Sequence, residues 1–144
     1  MTTESRVYLP AETAGLRPGG ALLSLITADR PASPADKQPV DLQKIVVTDP
    51  AKICFLRVSG QAMVSAGIHD QDLVAIDLAR SAEPGQVVVA VLDGQLAVRR
   101  LSTRFGRLWL TPENYDNPNF TEIDITGRQD QLIQGVVTYC LHAL

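Results

Sequence analysis

From residue 53 onward the chain repeats apolar stretches of strand length at 53–58, 73–76, 86–92, 95–101, 107–110 and 132–141, separated by turn signals. Asp93-Gly94 joins two of them, and this pair is the strongest short hairpin signal in the sequence because a type I′ turn needs residues that tolerate positive φ. Pro84-Gly85 and Phe105-Gly106-Arg107 mark further turns. Within Leu96-Ala-Val-Arg-Arg-Leu101 alternation puts Leu96, Val98 and Arg100 on one face and Ala97, Arg99 and Leu101 on the other, so each apolar set shares its side with one arginine. The pattern predicts a mainly β domain, curled or barrel-like, over residues 45–144.

Residues 1–44 have a different texture. Six of the nine prolines fall in the first 50 positions, where each removes a backbone donor and fixes φ. The stretches 21–26 and 40–47 each have the makings of one short element, bracketed by Gly19-Gly20 and Pro31-Ala-Ser-Pro34. The segment reads as an extended arm without a core of its own.

At 144 residues the chain is one domain's worth, and it can bury enough surface to need no disulfide or metal staple. Thirteen Lys plus Arg against 16 Asp plus Glu give a net charge of −3, which argues against a phosphate-tracking groove and direct nucleic-acid binding. Cys54 and Cys140 sit singly in apolar runs and read as core residues; no paired-cysteine or His/Cys spacing indicates a metal, and no cofactor is expected. The N-terminus lacks a basic-then-apolar leader and no segment nears about 18 apolar residues, so the reading is cytoplasmic, without a membrane span. One count is more selective. The lysines are Lys37, Lys44 and Lys52 alone, so no side chain after residue 52 can serve as a lysine base.

The run Val58-Ser-Gly-Gln-Ala-Met63, then Gly67-Ile68 and Asp70-Gln-Asp72 leading into an apolar strand, resembles the peptidase region of the LexA/UmuD-like (S24) self-cleaving proteins. The resemblance continues through Glu83-Pro-Gly-Gln86, Asp93-Gly-Gln-Leu-Ala-Val-Arg99, Leu110-Thr-Pro-Glu-Asn-Tyr115 and Gly135-Val-Val137, covering most of residues 50–144 in order. Upstream, Ala28-Asp-Arg-Pro-Ala-Ser-Pro-Ala-Asp36 and Val40-Asp-Leu42 are similar to the UmuD arm, and the upstream segment is too short for the helix-turn-helix domain of a LexA repressor.

The resemblance implies a serine nucleophile, a neutral lysine as its base, and an Ala-Gly or Cys-Gly bond in the arm as substrate. A serine hydroxyl attacks only once a base takes its proton, and a lysine does this only when burial depresses its pKa. This chain departs from the pattern at all three places. Ala62 stands at the nucleophile position within the motif residues Ser59, Gly60 and Met63, and Arg99 stands at the position of the base. The bond in register with the cleavage point is Ala28-Asp29, where an acidic side chain replaces glycine.

Substitutes are weak: Ser59 reads as a strand-end cap, Ser65 lies just beyond the motif, His69 sits in a turn and reads as solvated, and Ala14-Gly15 is outside the register. The resemblance therefore implies a non-catalytic pseudo-peptidase of UmuD type, in the SOS response to DNA damage. Such a protein would be a homodimer whose arm stays attached, engaging a Y-family translesion polymerase, a RecA filament or an active UmuD-type subunit. The competing reading is an enzyme: a Ser→Ala form of an active serine-lysine autopeptidase that cuts its own arm. A third is a plain peptide-binding groove that accepts an extended strand by main-chain pairing.

Overall fold

The computed structural model describes residues 38–144 together with the strand segments 6–8 and 23–25. The elements run β1 (Arg6–Tyr8), β2 (Leu23–Leu25), β3 (Gln38–Val40), α1 (Leu42–Val46), β4 (Ile53–Arg57), β5 (Leu73–Asp77), β6 (Val87–Leu92), β7 (Gln95–Arg104), β8 (Arg107–Thr111), β9 (Ile123–Asp124), α2 (Gln129–Leu132) and β10 (Ile133–Leu141), with a 3₁₀ turn at Val64–Ala66. The protein is mainly β, and the six apolar stretches of the sequence are β4, β5, β6, β7, β8 and β10. Of the two short elements in the arm region, the first contains β2 and the second contains α1, which runs across the expected arm boundary.

One eight-stranded antiparallel sheet, in the order β1-β4-β5-β10-β6-β7-β8-β9, dominates, and β2 pairs with β3 apart from it. The β6–β7 hairpin closes on Asp93 and Gly94 at φ 50° and 75°, the two positive values a type I′ turn requires. Phe105 and Gly106, at 51° and 73°, close β7 on β8 in the same way. These short-range devices set registers, but the central position of β10, between β5 and β6, is a long-range outcome.

Strand β10 shifts register against β6 between Ile133 and Gly135 and against β5 between Val137 and Tyr139. Such irregularities bend a strand and increase its twist. Gly135 lies in the first, and a Cβ there would sit 2.5 Å from Ile76 Cγ2 and 2.8 Å from the Asp77 carbonyl oxygen. Glycine is required at this point because the β5 backbone passes where a side chain would begin.

Alternation along β6, β7 and β10 feeds two clusters. Leu56, Val58, Met63, Ile68, Val74, Ile76, Val89 and Val98 form one; Val88, Ala90, Leu101, Leu110, Ile125 and Val136 form the other. Neighbours Val88 and Val89, like Val98 and Leu101, go to different clusters, as the strand's two-residue period dictates. The site motif lies over the first cluster, with Met63 sunk into it.

Candidate active site

The segment after β4 is pinned residue by residue. Val58 N donates to Asp72 O at 2.8 Å, and Gln71 N to Val58 O at 2.7 Å, which brings the turn 67–72 beside the motif. Gly60 turns at φ 91° and donates its N–H to Asp70 Oδ1 at 2.7 Å. The side chain that fixes this corner is thus Asp70, not the Ser59 hydroxyl expected from the sequence. Met63, 2% exposed, anchors the next step in the core, and Ala62 packs against the same cluster.

A strap from 113–115 holds the loop from outside. Glu113 N donates to Ala62 O at 2.8 Å, Ser65 N to Glu113 O at 2.8 Å, Asn114 Nδ2 to Gln61 O at 2.8 Å, and Tyr115 N to Ser65 Oγ at 3.1 Å. Ser65, considered above as a substitute nucleophile, thus uses its oxygen to hold the strap. Arg100 then fixes the strap to the sheet: its Nε and Nη2 donate to the two Glu113 carboxylate oxygens at 2.5 and 3.3 Å, and its Nη1 to Gly85 O at 2.9 Å. A bidentate pair of this kind gives direction as well as strength.

The other arginine of the pair does something different. Arg99, on the opposite face of β7, lines a cavity of about 520 Å³ together with Ser59, Gly60, Ala62, Met63 and Phe120. The structure thus brings Ala62 and Arg99 to one cleft, along with the motif residues between which Ala62 sits. Burial pulls the Arg99 guanidinium below its ordinary value; its Nη1 donates to Val98 O at 2.8 Å, and among the described residues it has no carboxylate partner. A larger cavity of about 620 Å³ lies elsewhere, lined by Ile45, Ile53, Gly67 and Arg100 among others, and contains neither Ala62 nor Arg99. The chemistry of the motif assigns the site to the smaller one. Ala28 and Asp29 lie outside the described residues.

At the two positions where the family pattern has serine and lysine, the cleft has a methyl and a cation: the Ala62 methyl carries no lone pair, and a guanidinium is a hydrogen-bond donor without acceptor capacity. Neither of these two side chains can supply the activated hydroxyl or the proton acceptor that acyl transfer needs.

A second constellation, which sequence reading missed, lies across the turn 67–72 from this loop. Asp72 is 3% exposed, and its Oδ2 accepts the His69 backbone N–H at 2.8 Å. The Asp72 Oδ1 and His142 Nδ1 are 2.6 Å apart, and Cys140 Sγ lies 3.4 Å from Asp72 Oδ2. Burial works to raise the Asp72 carboxyl, but the His69 N–H, His142 and Cys140 outweigh it and hold it below the ordinary carboxylate range. His69 is therefore not the plainly solvated turn residue expected: its ring faces that of His142 with centroids 4.5 Å apart. Cys54 is core as expected, whereas Cys140 is exposed, because the end of β10 runs past the covered part of the sheet. An apolar run at a strand end looks the same in sequence whether or not anything covers it.

Comparison with known proteins agrees with the motif. The family model described as Peptidase S24-like matches residues 22–138. The chain is 36% identical to Protein ImpA of Salmonella typhimurium over 112 residues, 78% of this chain and 74% of that one. It is 38% identical to Protein MucA of Salmonella typhimurium over 111 residues, covering 77% and 74%. The LexA repressor of a Parafrankia strain is 37% identical over 120 residues, 79% of this chain but 46% of that one. The match spans arm and sheet together, including both faces of the cleft, and the chain belongs to the S24 peptidase-like family.

Proposed function

We propose that this chain is a non-catalytic UmuD-like protein of the SOS response, acting in DNA-damage tolerance by binding other proteins while keeping its arm. The observation that carries this reading is that Ala62 and Arg99, at the two positions where the family's chemistry needs serine and lysine, line one cleft whose scaffold is intact. Both vacancies fall where they abolish chemistry, and neither disturbs a structural bond. Had only folding been relaxed, the strap 113–115 and its Arg100 clamp would have been as free to change. The similarity to ImpA and MucA over arm and sheet supports the UmuD-like assignment.

On this reading the cytoplasmic protein is a homodimer that presents a permanently uncleaved surface to a Y-family polymerase subunit, a RecA filament or an active UmuD-type partner. The test is incubation with RecA, single-stranded DNA and nucleotide, followed by gel and mass analysis. The expected result is an intact chain. A product ending near residue 28 would overturn the proposal. A pull-down with the polymerase catalytic subunit, the RecA filament and an active UmuD-type protein as separate baits then identifies the partner, and capture by none of them would overturn the binding role.

A further inference from the structure

Three metal-ligating side chains from opposite ends of the sheet domain converge at the turn 67–72: His69, Asp72 and His142, whose donor atoms all lie within 4.8 Å of one another. Two come from the turn, and the third comes from just beyond β10. One of their donor atoms is orphaned. His69 Nδ1 is shielded from solvent and has no hydrogen-bond partner among the described residues, although the ring as a whole is 43% exposed. A shielded imidazole nitrogen without a partner loses the hydrogen bonds water would give it, and such atoms are rare in folded proteins.

It stands 3.7 Å from Asp72 Oδ2, too far for a hydrogen bond. That spacing suits something else. In a tetrahedral site with metal–ligand bonds of about 2.1 Å, neighbouring donors are about 3.4 Å apart. The gap between His69 Nδ1 and Asp72 Oδ2 is close to this edge, whereas the His142 Nδ1 to Asp72 Oδ1 pair, at 2.6 Å, is drawn together by the proton it shares. A cation taking the place of that proton would need the pair to part by less than an ångström, and His142, 39% exposed, is free to yield.

We propose that His69, Asp72 and His142 form a binding site for a divalent transition metal, with Zn²⁺ the best match. Two imidazole nitrogens and the Asp72 carboxylate, whose Oδ2 faces His69 and whose Oδ1 faces His142, form a borderline donor set, which suits zinc and disfavours calcium or magnesium. The remaining position is open to water. Cys140 Sγ touches the same carboxylate and is not one of the three ligands. The ion would tie the turn 67–72 to the end of β10. Asp70 of that turn holds Gly60 N, so occupancy would brace the loop that forms one wall of the Ala62 cleft.

The test uses the untagged full chain, stripped with chelator and titrated with ZnCl₂ alone by calorimetry, with Co²⁺ as a spectroscopic stand-in. The expected result is one ion per chain, a rise in Tm reversed by EDTA, and Co²⁺ absorption of four-coordinate intensity. His69→Gln and His142→Gln should each weaken uptake by about 100-fold or more, since even partners outside the ligand set are worth 10–100-fold. Asp72→Asn risks the fold, so the histidine variants carry the decision; His142, near the chain end and partly exposed, is the safer of the two. Absence of uptake by the unaltered chain, or uptake undiminished in both variants, overturns the proposal. Cys140→Ser should bind within about threefold of the parent, and loss of binding there would overturn the three-ligand assignment.

Discussion

Placing a serine at Ala62 should not by itself produce a working peptidase, and the size of the shortfall follows from what lines the cleft. The hydroxyl would share the cavity with Arg99, which must then accept its proton. A guanidinium is protonated in effectively every molecule at pH 7.5, so it offers almost no neutral form to take up a proton. Burial acts in the helpful direction here, and no carboxylate among the described residues opposes it. The same burial would act at least as strongly on a lysine, whose compact ammonium is the more heavily hydrated ion and starts about two to three units lower. At equal burial the neutral fraction of a lysine therefore exceeds that of arginine by about 10²–10³.

The assay compares Ala62→Ser with Ala62→Ser/Arg99→Lys, both carrying Asp29→Gly to present a small residue at the bond. Loss of the intact chain is followed on gels from neutral to alkaline pH, and labelling by a fluorophosphonate probe reports serine activation without requiring the arm to bind. The variant with lysine should cut and label at least about 100-fold faster. Equal rates would show that Arg99 or another group supplies the base, and the inference from the vacated positions would fail.

Other features of the site and scaffold give sharper local tests. Glu113→Ala leaves Arg100 without its bidentate partner and frees the strap over the Ala62 loop; it should cost about 1.5–3 kcal/mol in urea melts, by the usual worth of hydrogen bonds to charged groups. Gly135→Ala forces a methyl to within 2.8 Å of the Asp77 carbonyl oxygen, and with backbone on the far side it should lower stability by about 1–3 kcal/mol. Asp124 is held at about 2, first by the Thr126 hydroxyl and backbone N–H and then by Arg107. Its folded pKa lies below the ordinary value near 4, so its contribution is complete above that value and is lost as pH falls through about 2. A carbon-detected NMR titration should place its midpoint near 2 and move it upward in Thr126→Ala.

The strands were legible because their causes are local. The Val87–Leu92 run is β-branched throughout most of its length, and Asp93-Gly94 can take positive φ, so hairpin and register follow from neighbours in sequence. That Ala62 and Arg99 share one cleft was anticipated for a different reason: the spacing of a recognisable motif placed both of them. What could not be read was pairing at long range. Asp72 and His142 meet across a sequence separation of 70 because β10 inserts between β5 and β6, and no local preference dictates that choice. The same holds for Cys140, whose apolar neighbours Tyr139 and Leu141 are 49% and 66% exposed. A strand's pattern records which residues share a face, but not how far along the strand that face is covered.

The adjacent pair Arg99 and Arg100 shows how one strand turns the same residue type to two different uses. Strand alternation sends the two guanidinium groups to opposite faces. Arg100 holds Glu113 and Gly85 O, and through Glu113 it fixes the loop that carries Ala62. Among the described residues, Arg99 bonds the Val98 carbonyl and otherwise lines the cleft. An arginine where the family pattern has lysine keeps the positive charge and the apolar stem at position 99 while removing the option of neutrality, so it takes away base chemistry but not the charge. An exchange at position 100, from arginine to lysine, would keep the charge but lose the bidentate grip, and the strap would loosen. The shape of the loop that carries Ala62 therefore rests on Arg100, acting through Glu113.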